Sequence, residues 1–323
     1  MKYRHLFGPV ASRRLGISLG VDLVVHKVCS LDCVYCECGQ TTDLTSVRKE
    51  WVSFDRVKDE LDHYWANNDD PDYITFSGSG EPCLNINLGR VISYIKEKKP
   101  GIQVAVLTNA TLLSDPGVRE ELALADLVVP SLDAATENAF RKINRPCKAI
   151  DLNSLVQGIQ EFTRQFNGRV HLEVFILEGV NDTDEELGLF KQAISKIGPD
   201  LVQLNSLDRP GTCDFVRPAT LENLERIKTF LGPEHVEIIA RVPSSNKGGT
   251  GRSANKSLEQ LETAVLETVH RRPSTCEDLS SMLGAEKTRV QSVLDRLVAT
   301  GQVEYSEQKR GIFYQTCKSG SET

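Results

Sequence analysis

Six short apolar, β-branched runs alternate with amphipathic stretches through the first three quarters of the chain, and this alternation restricts the fold more than any other feature. "VDLVV" (Val21–Val25), "YITF" (Tyr73–Phe76), "IQVAVL" (Ile102–Leu107), "DLVVP" (Asp126–Pro130), "VHLEVFIL" (Val170–Leu177) and "LVQLN" (Leu201–Asn205) read as strands. Most are nearly continuous apolar runs, as parallel strands covered by helices on their faces must be. Between them, "SFDRVKDELDHYWAN" places Phe54, Val57, Leu61 and Tyr64 on one helical face behind Ser53 as N-cap. "INLGRVISYIKEKKP" closes on lysines before Pro100, a helix C-terminal signal. "DLNSLVQGIQEFTRQF", "DTDEELGLFKQAISKIG" and "TLENLERIKTFLG" follow the same logic. Repeated strand–helix alternation predicts an α/β fold with a parallel sheet, either doubly wound and open or curled into a partial (β/α)6 barrel. Periodicity alone does not separate the two.

Composition changes at "PSSNKGGTGRSANKS" (Pro243–Ser257), which is rich in Gly, Ser and Asn and reads as a linker. The expected organisation is therefore a barrel over residues 1–242, a linker over 243–257 and a small domain over 258–323. In the last part, "LEQLETAVLETVHRR" turns Leu258, Leu261, Val265, Leu266 and Val269 inward, and "STCEDLSSMLG" is capped by Ser274 or Thr275 and stopped by Gly284. "AEKTRVQSVLDRLVATG" turns Val290, Val293, Leu294 and Leu297 inward, and "QVEYSEQKRGIFYQT" alternates around a hairpin turn. Three helices followed by a hairpin predict a winged helix-turn-helix. Lys287, Arg289, Lys309 and Arg310 stand where such modules touch phosphates, and Glu286, Asp295, Glu304 and Glu307 dilute their field. The net charge of −7 resides in residues 1–251, where 28 Lys and Arg face 35 Asp and Glu, against 10 and 10 in residues 252–323. That balance argues against broad nonspecific nucleic-acid binding by the whole chain and leaves room for a local basic face.

No run approaches the ~20 apolar residues of a membrane span, and "MKYRHLFGPVASRRLG" lacks the apolar core of a secretory signal. A cytoplasmic location is expected, where thiols stay reduced and clustered cysteines point to metal or catalysis rather than disulfides. Four of the nine cysteines fall within "CSLDCVYCEC". Cys29, Cys33 and Cys36 form C-x3-C-x2-C directly after the first strand, at the end where α/β sheets hold ligands. Thiolates at such short spacings hold iron–sulfur clusters, and three ligands leave one iron open. Structural zinc is the competing reading, but it favours two separated pairs. Cys38 is either a fourth ligand, which would close the site, or a bystander.

With Tyr35 just before its third cysteine, this motif resembles that of the radical S-adenosylmethionine (SAM) superfamily. The resemblance implies a TIM-like partial barrel and a [4Fe-4S] cluster held by Cys29, Cys33 and Cys36. It also implies S-adenosyl-L-methionine (SAM) on the open iron, and reductive cleavage of SAM to a 5′-deoxyadenosyl radical that abstracts hydrogen from a substrate. "TFSGSGEP" (Thr75–Pro82) looks like the superfamily's Gly-Gly-Glu segment, with Ser79 in place of its first glycine. On that resemblance Gly78, Ser79, Gly80 and Glu81 hold the methionyl end of SAM. Asn109 in "LTNAT", with Ser131 and Asp133 in "PSLDA", would meet its ribose or carboxylate, and Tyr35 would pack near the adenine, as would "VFILEGVND". The resemblance covers roughly residues 8–240. "SLDA" followed by "FRKINRP" is similar to the wybutosine-type tRNA-modifying branch, and "GPVASRRLGISLGVDLV" resembles the opening of a group of radical SAM proteins without an assigned activity.

The remaining candidates have weaker support. Cys38, Cys83, Cys147 and Cys213 are candidates for an auxiliary cluster or are plain buried thiols. Cys276 and Cys317 are packing or surface thiols. Asn205, Asp208 and Arg209 end the sixth strand and are placed to face substrate, Asp208–Arg209 being equally a turn. Arg13 and Arg14 either bind an anionic substrate or form a solvated loop, and His26 lies three residues before Cys29. An electron donor such as flavodoxin or ferredoxin is the expected partner, with RNA, a small molecule or a peptide as substrate and no membrane. The rival class is an iron–sulfur redox sensor acting on DNA through the winged helix.

Overall fold

The structure, a computed structural model, describes residues 3–12, 14–209, 211–213, 215–240, 257–308 and 311–317. The described residues fall into two compact units, one made of the residues before 241 other than Glu37–Gly39, the other of those after 256 together with Glu37–Gly39.

The first unit is an eight-stranded sheet of β1 (Leu6–Ser12), β2 (Gly16–Val21), β5 (Tyr73–Phe76), β6 (Gln103–Thr108), β7 (Leu127–Pro130), β8 (Arg169–Ile176), β9 (Leu201–Ser206) and β10 (Val236–Ile238), in that spatial order. A two-stranded ladder of β3 (Val28–Cys29) and β4 (Asp43–Leu44) interrupts the sequence order. Every neighbouring pair from β2 to β10 is parallel, and β1 is antiparallel to β2. The helices are α1 (Phe54–Asn67), α2 (Leu88–Lys98), α3 (Pro116–Leu122), α4 (Glu137–Ile143), α5 (Leu152–Gln165), α6 (Asp184–Ile197) and α7 (Leu221–Leu231). Their starts follow capping chemistry: Asp115, Thr136, Asp151, Thr183 and Thr220 each accept a backbone N–H from the first turn.

The sheet curls. Four strand spacings separate β2 from β8, roughly 19 Å in a flat sheet, yet Arg14 at the β1–β2 turn forms an ion pair with Glu173 of β8. Tyr73 of β5 likewise accepts from Arg169 of β8 at 2.7 Å. Leu15 packs with Ala105, Leu127 and Val129 as a small inner core, while the larger core lies between the sheet and its helices. The curled, mostly parallel sheet agrees with the expected barrel class.

Three expectations change in this unit. The first strand is Gly16–Val21, not Val21–Val25, because the chain leaves the sheet at Asp22, whose buried carboxylate turns to Ser79. Two strands of the eight-stranded sheet lie beyond the six expected, β1 and β10; one carries Gly8 and Pro9 and the other is three residues long, so neither shows a periodic run. On α1 the sequence marked the apolar face but not Glu60, which is 4% exposed among those apolar side chains. Its carboxylate accepts the backbone N–H groups of Arg4, His5 and Leu6 at 2.9, 2.9 and 3.0 Å, and so ties the entry to β1 onto α1.

The second unit contains α8 (Leu258–Arg271), β11 (Ser274–Thr275), α9 (Cys276–Leu283), α10 (Lys287–Ala299), β12 (Val303–Gln308) and β13 (Gly311–Thr316). The strands form one sheet in the order β11-β13-β12. Leu261, Val265 and Val269 of α8 meet Leu279 and Val290, Val293, Leu294 and Leu297 in a separate core. Leu258, expected inward, is 50% exposed because it follows the Ser257 cap before the helix reaches the core. Thr275 rather than Ser274 caps α9, in a capping box with Asp278, and Gly284 ends it with φ 61°. Lys309 and Arg310 lie outside the described residues.

Glu60→Ala should lower stability by about 2–3 kcal/mol, since the backbone donors it serves lose their acceptor. The expected reading is a lower urea midpoint at unchanged slope.

Candidate functional site

The segment carrying Cys29, Cys33 and Cys36 lies beyond the C-terminal ends of the parallel strands and is held by backbone bonds along its length. Asp32 N donates to Asn144 O and Val34 N to Ile143 O, both at 2.9 Å, and Ser30 O accepts from Cys147 N at 2.9 Å. The Ser30 hydroxyl meets that of Thr111 at 2.6 Å, and Thr212 Oγ1 donates to Cys33 O at 3.1 Å. Leu31 and Val34 are buried between the cysteines, so the segment is pinned on alternate residues while its thiols stay half-buried.

Each of the three sulfurs has its own N–H donor. Asn109 Nδ2 donates to Cys29 Sγ at 3.4 Å, Asn144 Nδ2 to Cys33 Sγ at 3.4 Å, and Lys27 Nζ to Cys36 Sγ at 2.9 Å. Burial, with Glu81 nearby, pushes the Cys29 thiol up to about 12. Burial and the Cys36 thiol push Cys33 well above the usual thiol range. Burial works against the Lys27 charge, but the thiols of Cys36, Cys29 and Cys33 outweigh it and hold the ammonium above the ordinary lysine value. Bare thiolates are disfavoured in such a place, whereas thiolates bound to metal are stabilised by it and by the N–H donors. The donor set therefore fits an iron–sulfur cluster. Among the described residues, no group of three or more His, Cys, Asp or Glu closes on a single metal ion.

The strand ends converge on the same place. After β5, Gly80 presses against β3: a Cβ there would sit 1.9 Å from Val28 O, and Glu81 N donates to that carbonyl at 3.1 Å. Asp22 accepts from Ser79 N at 2.9 Å and from the Ser79 hydroxyl in a short bond. Glu81, 2% exposed, accepts from Cys83 N at 2.9 Å, Thr108 Oγ1 at 2.8 Å and Asn109 N at 2.7 Å. Burial raises its carboxyl above the usual range despite these donors. Asn109 also donates to Ser30 Oγ at 2.9 Å and accepts from Thr111 Oγ1 at 2.8 Å, so its amide faces the cysteine segment.

Asp133, 4% exposed beyond the end of β7, accepts from Tyr35 OH at 2.5 Å, Asn144 Nδ2 at 2.8 Å and Phe175 N at 3.0 Å. Burial outweighs these bonds and raises its carboxyl to about 6. The Tyr35 ring stacks on Phe175 with centroids 3.9 Å apart. Ser131 is half-buried, and its hydroxyl has no hydrogen-bond partner among the described residues. Asn181, fully buried, donates to Asp133 O and Phe175 O at 2.7 Å each, fixing the segment after β8.

The structure thus brings Cys29, Asn109 and Glu81 into one hydrogen-bonded chain and Cys33, Asn144, Asp133 and Tyr35 into another. Lys27, Asp22 and Asn144 were not among the candidate site residues, whereas Phe175 lies within the "VFILEGVND" segment expected near the adenine. Asp22 had left a signal as the one charge inside an apolar run, and Asn144 lies in the quoted "FRKINRP". Cys83 is buried and bonded to Thr108 Oγ1 at 3.5 Å, Cys147 is buried, and Cys38 and Cys213 are half-buried. Arg14 is turned inward onto Glu173, which also accepts from Asn205 Nδ2 at 3.1 Å, so this arginine is not part of a solvated loop. Arg209 is buried, Asp208 half-buried and His26 exposed. Arg13 lies outside the described residues. In the second unit Lys287 is exposed and Arg289 half-buried at the start of α10, Cys276 is buried, and Cys317 is exposed.

The family model described as "Radical SAM superfamily" matches residues 23–190. A protein of Brachyspira hyodysenteriae named GTPase Obg is 36% identical over 94% of this chain, which spans 44% of that protein's length. A UPF0026 protein of Synechocystis is 40% identical over 64% of this chain and 76% of its own. A dual-specificity RNA methyltransferase RlmN of Oleidesulfovibrio alaskensis is 29% identical over 59% of this chain and 53% of its own. Among solved structures, a radical SAM methyltransferase from Sphaerobacter thermophilus superposes with a TM-score of 0.52 at 19% identity, over 69% of this chain and 65% of that one. No helix among the described residues is long and apolar enough to cross a membrane. The curled parallel sheet, the thiols gathered at its C-terminal edge and the matched family model agree: the chain belongs to the radical SAM superfamily of enzymes, which use a [4Fe-4S] cluster and SAM.

Proposed function

We propose that the chain is a radical SAM enzyme that modifies RNA. The observation that carries the enzyme reading is the convergence of three thiols, each met by its own N–H donor, with Glu81, Asn109 and Asp133 at successive strand ends. Cys29, Cys33 and Cys36 would hold the cluster. When bound, the cluster and SAM would supply one-electron radical chemistry for hydrogen abstraction from the substrate.

The chain's own residues bind, orient and exclude water. Gly78, Ser79 and Gly80 would hold the methionyl end along a loop whose glycines let it pack against Val28 O and the Asp22 carboxylate. Glu81 braces that loop: with three donors already on its carboxylate, it acts through Asn109 and the Pro82–Leu84 turn. Asn109 and Asp133 are likewise engaged, so Ser131 is the strand-end hydroxyl left to meet the ribose. Tyr35 and Phe175 wall the adenine side and keep water from the cysteine segment.

The RNA reading is supported by the similarity to an RNA methyltransferase and by the second unit. We read that unit as a winged helix-turn-helix over 258–323, joined by a 243–257 linker to a catalytic barrel over 1–242, with exposed Lys287 at the start of its third helix. Thiols that must stay reduced suit the cytoplasm and an electron donor of the flavodoxin or ferredoxin class.

Anaerobically reconstituted protein given SAM and a strong reductant should release 5′-deoxyadenosine, and Cys33→Ala should lose that activity by 100-fold or more. A stable cluster without SAM cleavage would overturn the enzyme reading. Affinity for tRNA should fall steeply with salt, and Lys287→Ala should reduce the slope of log K against log salt by about 0.9. Absent or salt-independent binding would exclude RNA as the substrate. Gly80→Ala, whose Cβ meets Val28 O, should cut iron retention several-fold, measured as iron per chain after desalting.

A further inference from the structure

Lysine is almost never fully buried unless paired, yet Lys27 is 2% exposed. Its Nζ donates to Cys36 Sγ at 2.9 Å. The residue is clamped at both backbone groups: its N–H donates to Thr42 Oγ1 at 2.8 Å, and its carbonyl accepts from Thr42 N at 3.0 Å and Asp43 N at 3.2 Å. The other two sulfurs receive neutral amide donors, from Asn109 and Asn144. The three sulfurs are therefore unequal, one facing a fixed positive charge and two facing dipoles.

We propose that Lys27 is a built-in countercharge of the cluster, its ammonium on the Cys36 sulfur favouring the reduced state and raising the reduction potential. The proposal rests on the reading that Cys29, Cys33 and Cys36 hold the cluster. Reduction adds one negative charge to an assembly already carrying three thiolates. A cation at hydrogen-bond distance from a ligand sulfur, in a place poor in water, stabilises that added charge more than the oxidised state. The amides of Asn109 and Asn144 act in the same direction, but hydrogen bonds from charged donors are about twice as strong. The electron comes from an external low-potential donor, and no bond is made or broken at Lys27. Lys27 is thus a positioning residue for charge, acting on the redox step and not on the substrate.

The test uses the full chain reconstituted anaerobically as wild type, Lys27→Met and Lys27→Arg. Iron and sulfide per chain are measured first, followed by a potentiometric titration read by electron paramagnetic resonance with dithionite as reductant. Lys27→Met should retain iron, and its reduced-to-oxidised ratio at a fixed potential should fall tenfold or more, a negative shift of about 59 mV for one electron. Lys27→Arg should stay within threefold of wild type. Full iron with an unchanged ratio in Lys27→Met overturns the proposal. If Lys27→Met loads no iron, Lys27→Arg decides: full iron with the wild-type ratio supports the countercharge, and loss of iron there too overturns it. Wild-type protein that binds no iron, or binds it equally in Cys33→Ala, overturns the cluster assignment and the proposal with it.

Discussion

Glu81 places a carboxylate with almost no solvent contact between two strand ends, and the rest of the site is positioned from it. One oxygen takes Cys83 N and the Thr108 hydroxyl, and the other takes Asn109 N. The end of β6 is thereby fixed against the turn after β5, and Asn109 is aimed at Cys29 and Ser30. A buried carboxylate is tolerated only when its lone pairs are filled, so these donors fix a single arrangement of the loops.

A second constraint is electrostatic. Burial disfavours the anionic forms of Cys29, Cys33 and Asp133 alike, and the chain offsets this locally rather than with solvent. Tyr35, Asn144 and the Phe175 N–H serve Asp133, and Asn144 also reaches the Cys33 sulfur. One amide thus joins the carboxylate beyond β7 to a thiol on the cysteine segment, so a change in charge at either is felt at the other.

Much of this was legible before any coordinates. The runs at Tyr73–Phe76 and Leu201–Asn205 carried enough β-branched and apolar residues to mark strands, and the cysteine spacing marked the site. The features that were missed share a physical cause. β10 is too short to show a period, and β1 carries Gly8 and Pro9 in its interior, which read as loop. Glu60 and Lys27 are charges that sequence patterning assigns to solvent, and only tertiary packing shows their buried partners. Glu81 and Asn109 were read as SAM contacts, but sequence alone shows that a polar residue ends a strand, not whether its side chain turns to a ligand or, as in both of these, back into the protein. Arg14 turned inward for a reason no local pattern holds, since its partner Glu173 lies far along the chain and meets it only because the sheet curls.

Ser79, which on the sequence resemblance takes the place of a glycine in the superfamily's segment, sends both its hydroxyl and its backbone N–H to Asp22. Next to it, a Cβ on Gly78 would meet the same Asp22 carboxylate at 2.5 Å. The serine and the aspartate are therefore energetically coupled. Glycine in place of Ser79 would leave a buried acid short of one donor, and loss of Asp22 would leave the Ser79 hydroxyl and N–H without their acceptor, so neither side chain can be exchanged without cost to the other.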